Sequence, residues 1–129
     1  MAINDQAPPL ADADSEADDI TIMLAGNRLR LITQGVALRD TLIGLIEGAR
    51  HSLKLYYYIF ADDGSGVLVR DALVAARGRG VAVTLMVDGF GSGKTPDSFF
   101  APLIDAGAHF GRFGTRRSTR YLIRNHQKM

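Results

Sequence analysis

With 129 residues and no cysteine, the chain has the size of one domain and can build neither a disulfide framework nor a cysteine-based zinc site. Apolar residues at 47% and charged residues at 22% exclude wholesale disorder and fibrous repeats, and no apolar run approaches the roughly 18 residues that span a bilayer. The net charge of +1 conceals a division: Asp5, Asp12, Asp14, Glu16, Asp18 and Asp19 precede Ile20 with no base among them, which leaves fifteen bases against eight acids beyond.

Residues 1–25 read as a disordered acidic leader, without apolar periodicity and with a Pro8-Pro9 pair. No base precedes Arg28, so this is not the pattern of a secretory signal. Gly26-Asn27 is expected to turn into a strand over 28–33, where Arg, Leu, Arg and Leu alternate. Leu38, Leu42, Leu45, Ile46 and Ala49 then recur at helical spacing up to Arg50. Residues 53–60, rich in Tyr, Ile and Phe, read as a strand. The Asp62-Asp63-Gly64-Ser65-Gly66 turn introduces a second helix, with Leu68, Ala72, Ala75 and Ala76 as its stripe and Gly80 as its stop.

The apolar run 81–87 has the character of a strand covered on both faces, ending at Asp88-Gly89. Thr95-Pro96 reads as an N-cap followed by a first-turn proline. Phe99, Phe100, Leu103 and Ile104 would then form a buried helical face that stops at Gly107. A further strand is expected over 108–113, a basic irregular segment over 114–124, and a strand starting near His126. Strands alternating with helices of this length imply βαβ crossovers and a mainly parallel sheet. Ligands gather at the carboxyl ends of such strands, where Asp88 lies.

Gly89-Phe90-Gly91-Ser92-Gly93-Lys94-Thr95 has the look of a phosphate-binding loop. The full pattern, however, starts with a glycine six positions before Lys-Thr, and here that position is Asp88. Its carboxylate would occupy the phosphate position, and Pro96 turns Thr95 away from helical geometry. A flexible glycine loop between strand and helix is the better reading. Asp88 itself divides between a turn-forming Asp-Gly and a residue that supports the site. His51 and His109 read as surface residues, too scattered for a metal site.

The stronger chemical signal is Arg124-Asn125-His126-Gln127-Lys128. On a strand, residues two apart share a face, so His126 and Lys128 would project together. A neutral imidazole is nucleophilic near physiological pH, and an ammonium neutralises phosphoryl oxygens. Beyond Asp105 there is no acid, while Arg112, Arg116, Arg117, Arg120, Arg124 and Lys128 follow. Such a segment is either a solvated face or a contact for an anionic partner, whether phosphate, nucleic acid or lipid head group.

From about Asn27 onward the chain resembles the phospholipase D superfamily, most closely its bacterial cardiolipin synthase branch. The resemblance rests on Gly26-Asn27-Arg28, on Ala49-Arg50-His51-Ser52-Leu53 leading into Tyr57-Tyr58-Ile59-Phe60, and on Val87-Asp88-Gly89-Phe90-Gly91-Ser92 after Gly80-Val81. It ends on His126-Gln127-Lys128, the start of the superfamily's His-x-Lys-x4-Asp signature. The resemblance implies an α/β sandwich with a mixed, mainly parallel sheet flanked by helices. It implies a reaction without cofactor or metal, in which one histidine attacks phosphorus and a second protonates the departing alcohol. Water or another alcohol then resolves the phosphohistidine.

His126 matches the signature histidine, as nucleophile or general acid, and Lys128 matches the phosphate-binding lysine. Arg124, Asn125 and Asp88 are the expected substrate-binding residues. The expected partner is an anionic phospholipid of the phosphatidylglycerol type, met at a peripheral, inner membrane face or from the cytoplasm. Nucleic-acid phosphodiesters, or a non-catalytic binding role, are the alternatives. Residues 26–129 are thus expected to be the N-terminal part of a phospholipase D-like domain, broken off within its first signature. The missing half or a second copy would be needed to complete the site. Tyr56 stands where cardiolipin synthases usually carry a glutamate.

Overall fold

The computed structural model of the chain describes residues 20–114. The chain divides between Leu38 and Arg39 into two compact units. In the first, β1 (Ile20–Leu24) and β2 (Asn27–Leu31) pair antiparallel with Leu24 opposite Asn27. The connection is therefore the dipeptide Ala25-Gly26, with φ of 48° and 79°. Positive φ at both positions is the geometry that matches the twist of a two-residue hairpin. The turn thus lies one residue earlier than expected, and the expected strand over 28–33 ends at Leu31. The last positions of the expected leader, 1–25, form β1 instead, and residues 1–19 lie outside the described residues. Ile20, Ile22 and Leu24 share one face with Leu29 and Leu31, while Thr21, Met23, Arg28 and Arg30 take the other.

α1 (Gly35–Gly48) leads into the second unit, which continues with β3 (Ser52–Tyr57), α2 (Gly64–Gly78), β4 (Ala82–Asp88), α3 (Asp97–Asp105) and β5 (His109–Phe113). The three strands pair parallel in the order β3-β4-β5, so β3-α2-β4 and β4-α3-β5 are two successive βαβ units. The chain is therefore α/β, in line with a phospholipase D-like sandwich, and its described strands form two sheets, the three-stranded parallel one and the antiparallel hairpin.

One face of this sheet carries the core. Leu55, Val83, Leu85 and Val87 pack with Ile46, Val69, Leu73, Ala76, Phe99, Phe100 and Leu103. Phe100 is fully buried, with its ring centroid 4.6 Å from Phe110, 5.1 Å from Phe99 and 5.4 Å from Phe60. The opposite face is open: Ser52, Lys54, Ala82, Met86 and His109 are exposed. The run 81–87 is thus covered on one face only. Its outer side carries the small Ala82, the polar Thr84 and the adaptable Met86.

The burial of α2 is also rotated relative to expectation. Val69, Leu73 and Ala76 are buried and Leu68 is exposed, because this helix is apolar on two adjoining stripes and the bulkier inner pair fills the core. Asp63 caps it by accepting from the Gly66 amide at 2.8 Å. On α1 the fully buried residue is Ile46, and Leu38 and Leu45 of the expected stripe are exposed. Gly80 and Gly107 follow the ends of α2 and α3 with φ of 89° and 86°.

Candidate functional site

The carboxyl ends of β3, β4 and β5 converge on residues 88–96. Asp88 ends β4 and is 2% exposed. Its Oδ1 accepts from the backbone amides of Phe90 and Gly91, both at 2.9 Å, and its carbonyl accepts from the Ser92 amide at 2.9 Å. This is an Asx turn, in which the carboxylate fills the concavity that a phosphate would occupy in a nucleotide-binding loop. The turn-forming role of Asp88 is therefore on view.

The following loop is pinned to both neighbouring strands. Ser92 is 1% exposed; its Oγ accepts from the Phe60 amide at 2.9 Å and donates to the Tyr58 carbonyl at 3.1 Å. Thr95 Oγ1 donates to the Phe60 carbonyl at 2.6 Å. On the other side, the Gly89 amide donates to the Phe113 carbonyl at 2.8 Å. The loop expected to be flexible is thus hydrogen-bonded along its length. Thr95 does not cap α3 as expected: its hydroxyl is directed to β3's extension, Pro96 takes the N-cap position without a side-chain bond, and the helix opens at Asp97.

Arg112 completes the frame. Its Nε donates to Asp97 Oδ1 at 2.7 Å, its Nη1 to the Ser92 carbonyl at 3.0 Å and its Nη2 to the Thr95 carbonyl at 2.6 Å. The guanidinium also lies 5.6 Å from the Phe100 ring centroid. Sequence reasoning grouped Arg112 with the terminal cations. Its position on β5 opposite Val87, on the core face, separates it from them in the structure. Tyr57, on the same face, is half-buried and packs edge-on against Phe60 at 5.1 Å. Burial raises its phenol pKa above the ordinary value.

His126, Lys128, Arg124 and Asn125 lie outside the described residues, so of the expected site residues the structure places Asp88 alone. His51 and His109 are exposed, and neither is at the carboxyl edge. A cavity of about 360 Å³ occurs at the other end of the sheet, lined by Glu47, Gly48, Ala49, Arg50, Arg79 and Val81. There the carbonyl ends of α1 and α2 meet, and Arg79 donates to the Ile46 carbonyl at 2.9 Å. That cation offsets the negative charge of a helix end.

Comparison with known proteins gives a consistent result. The chain is 33% identical over 110 residues to cardiolipin synthase A of Pseudomonas putida, a match that covers 82% of this chain and 23% of that protein. It is 34% identical over 104 residues to cardiolipin synthase 1 of Bacillus cereus, covering 78% and 20% respectively. It is 32% identical to cardiolipin synthase A of Pseudomonas entomophila over 110 residues, again covering 82% and 23%. The chain thus spans between a fifth and a quarter of the length of these relatives. No family model and no solved structure matches it. The aligned region takes in most of the chain in both a Pseudomonas and a Bacillus protein, and the chain is accordingly a cardiolipin synthase-like member of the phospholipase D superfamily.

Proposed function

We propose that this chain supplies the first His-x-Lys half of a phosphatidyltransferase site acting on phosphatidylglycerol-type phosphodiesters. The observation that carries the reading is the similarity to cardiolipin synthases over about four-fifths of the chain. In this reading His126 is the nucleophile or the general acid, and Lys128 neutralises the phosphoryl oxygens. Arg124 and Asn125 hold the phosphate, and Asp88 supports them from the end of β4.

Attack by an imidazole nitrogen forms an N–P bond as the P–O bond to the departing alcohol breaks, and the second histidine protonates that oxygen. A second phosphatidylglycerol hydroxyl then displaces the histidine. The sequence holds a single His-x-Lys, so its counterpart comes from further polypeptide or from a second copy. In this reading the chain meets the lipid peripherally; no helix among the described residues is long and apolar enough to cross a membrane.

The test replaces the matching region of Pseudomonas putida cardiolipin synthase A with this chain and assays phosphatidylglycerol vesicles for cardiolipin. His126→Ala should lower turnover by about 10³ or more, as loss of a nucleophile or essential acid does. Retention of more than about a tenth of the activity would remove His126 from the mechanism. Cleavage of a nucleic-acid or chromogenic phosphodiester without lipid transfer would favour the phosphodiesterase reading, which the cationic segment after Asp105 supports. The 129-residue chain by itself should be silent.

A further inference from the structure

We propose that Lys54, Thr84 and His109 form an oxyanion site on the open face of the β3-β4-β5 sheet, with a phosphate group as its ligand. The site does not depend on the transferase reading, because it lies toward the amino ends of the strands and away from the edge that carries Asp88.

Lys54 pairs in register with Thr84, and Thr84 with His109. Alternation along the strands turns these three away from the buried Leu55, Val83 and Leu85 and the core-packed Phe110. They make one line across the sheet, with about 4.8 Å from strand to strand. Lys54 and His109 are exposed at its two ends, and Thr84 is half-buried at its centre. Among the described residues, none of the three side chains makes a hydrogen bond or an ion pair. The floor beside the line is low, since Ala82 precedes Thr84 on the same face and a Cβ added at Gly111 would meet nothing within 4 Å. An anion seated over the threonine hydroxyl is within reach of the ammonium from one side and of the imidazole from the other.

The donor set selects the occupant. All three groups donate hydrogen bonds, and the ammonium carries a positive charge. An apolar partner, or the same face of a second copy, would strip water from that ammonium without replacing it. A metal ion would find one imidazole next to a like charge. The three strands hold a single carboxylate, Asp88, which is four residues beyond Thr84, buried, and bonded to the Phe90 and Gly91 amides. Charge complementarity at this face therefore favours an anion. A phosphate group has acceptor oxygens enough for all three donors, which a halide lacks.

The test is a titration of the 129-residue chain with inorganic phosphate, followed by amide chemical shifts. The signals of Lys54, Thr84 and His109 should move saturably and those of Phe90 and Lys94 should not. Chloride at matched ionic strength should reproduce none of this. Lys54→Met and His109→Gln should each weaken binding about three- to fivefold, as loss of an exposed ion pair does. The double variant should lose about tenfold or more, with an unchanged circular dichroism spectrum, and Lys54→Arg should retain binding. Vesicles containing phosphatidic acid distinguish the sources of the group. Binding that the double variant loses at vesicles as well as with phosphate upholds the site as one for lipid head groups, and loss with phosphate alone upholds it as one for a soluble phosphate. The inference is overturned by shifts that do not saturate, by shifts that chloride reproduces, by shifts centred on Arg50 and Arg79 instead, or by undiminished affinity of the double variant.

Discussion

A methyl group at position 91 is a severe test of the frame at the carboxyl edge. In Gly91→Ala the added Cβ would overlap the Tyr58 carbonyl oxygen, and would lie 2.9 Å from the Tyr58 carbonyl carbon and 3.1 Å from its Cδ2. Non-bonded carbon and oxygen rest at about 3.3 Å or more, so either the loop or the end of β3 must retreat by about an ångström. The obstacle is backbone, which cannot rotate aside as a side chain can. Retreat strains three hydrogen bonds: Gly91 amide to Asp88, Phe60 amide to Ser92 Oγ, and Ser92 Oγ to the Tyr58 carbonyl. At about 1 kcal/mol each, the loss is about 3 kcal/mol. With a urea m value of about 1.5 kcal/mol/M, the unfolding midpoint falls by about 2 M. Gly111→Ala is the control, because a Cβ there meets nothing within 4 Å; it should be neutral or stabilising by less than about 1 kcal/mol. If Gly91→Ala unfolds within about 0.5 kcal/mol of the wild type, the close approach of the loop to Tyr58 is wrong.

The same frame yields further expectations. Ser92→Ala leaves the buried Phe60 amide without its acceptor and should cost about 2 kcal/mol in urea unfolding; a neutral result would mean that Ser92 does not bridge the strands. Arg112→Lys replaces a fork that reaches Asp97, Ser92 and Thr95 with a single ammonium. It should cost about 1–2 kcal/mol and be barely rescued at low salt, since two of the three acceptors are carbonyls; full retention of stability would show the fork to be idle. Tyr57 has its pKa raised by burial, so its neutral form stabilises the fold below the unfolded value near 10, and that contribution is lost as pH rises through the folded value. Unfolding midpoints should therefore fall above about pH 10 in the wild type and fall less in Tyr57→Phe; identical pH profiles would refute this.

The alternation of strands and helices was legible because period and punctuation agree: the helix stripes, the Asp62-to-Gly66 turn and the glycines at 80 and 107 all fall where the elements end. What escaped was rotation and partnership. The second helix is apolar at 67, 68, 69, 72, 73, 74, 75 and 76, so spacing alone admitted the Leu68 stripe as well as the Val69 stripe that is buried. The one-sided coverage of β4 was masked by Ala82 and Met86, which look as apolar as Val83 and Leu85; Thr84 between them, on the same face, was the one polar mark of it. β1 was missed because Ile20-Thr21-Ile22-Met23-Leu24 adjoins an acidic stretch and reveals itself only through its pairing with β2. Arg112 was misread because a cation in a cationic segment carries no local mark of its acceptors, which lie 15 to 20 residues away. At the site, Asp88 was found by its place at a strand end, and the structure adds its two amide partners.

The six residues Val87 to Ser92, which carry much of the family resemblance, divide their duties in a way that bears on function. Val87 is core, and Asp88 closes the Asx turn. A Cβ at Gly89 would lie 3.0 Å from the Gly114 carbonyl oxygen, Gly91 admits Tyr58, and Ser92 joins β3's extension. Five of the six are thus accounted for by folding, and none of these five turns a reactive group outward. The motif is a frame: it fixes the height of the β4 end against the ends of β3 and β5, and so fixes where any group at that edge can stand relative to a substrate. Phe90 is the exception. Its backbone belongs to the frame, yet its ring is 67% exposed, although any residue could have supplied the amide that Asp88 receives. The hydrogen-bonded loop has already met the backbone ordering cost at this position, so a partner that buries the side chain has only its rotamer freedom left to restrict. That asymmetry makes position 90, rather than any polar residue of the motif, the place where a substitution should change what the edge touches without changing how the edge is built.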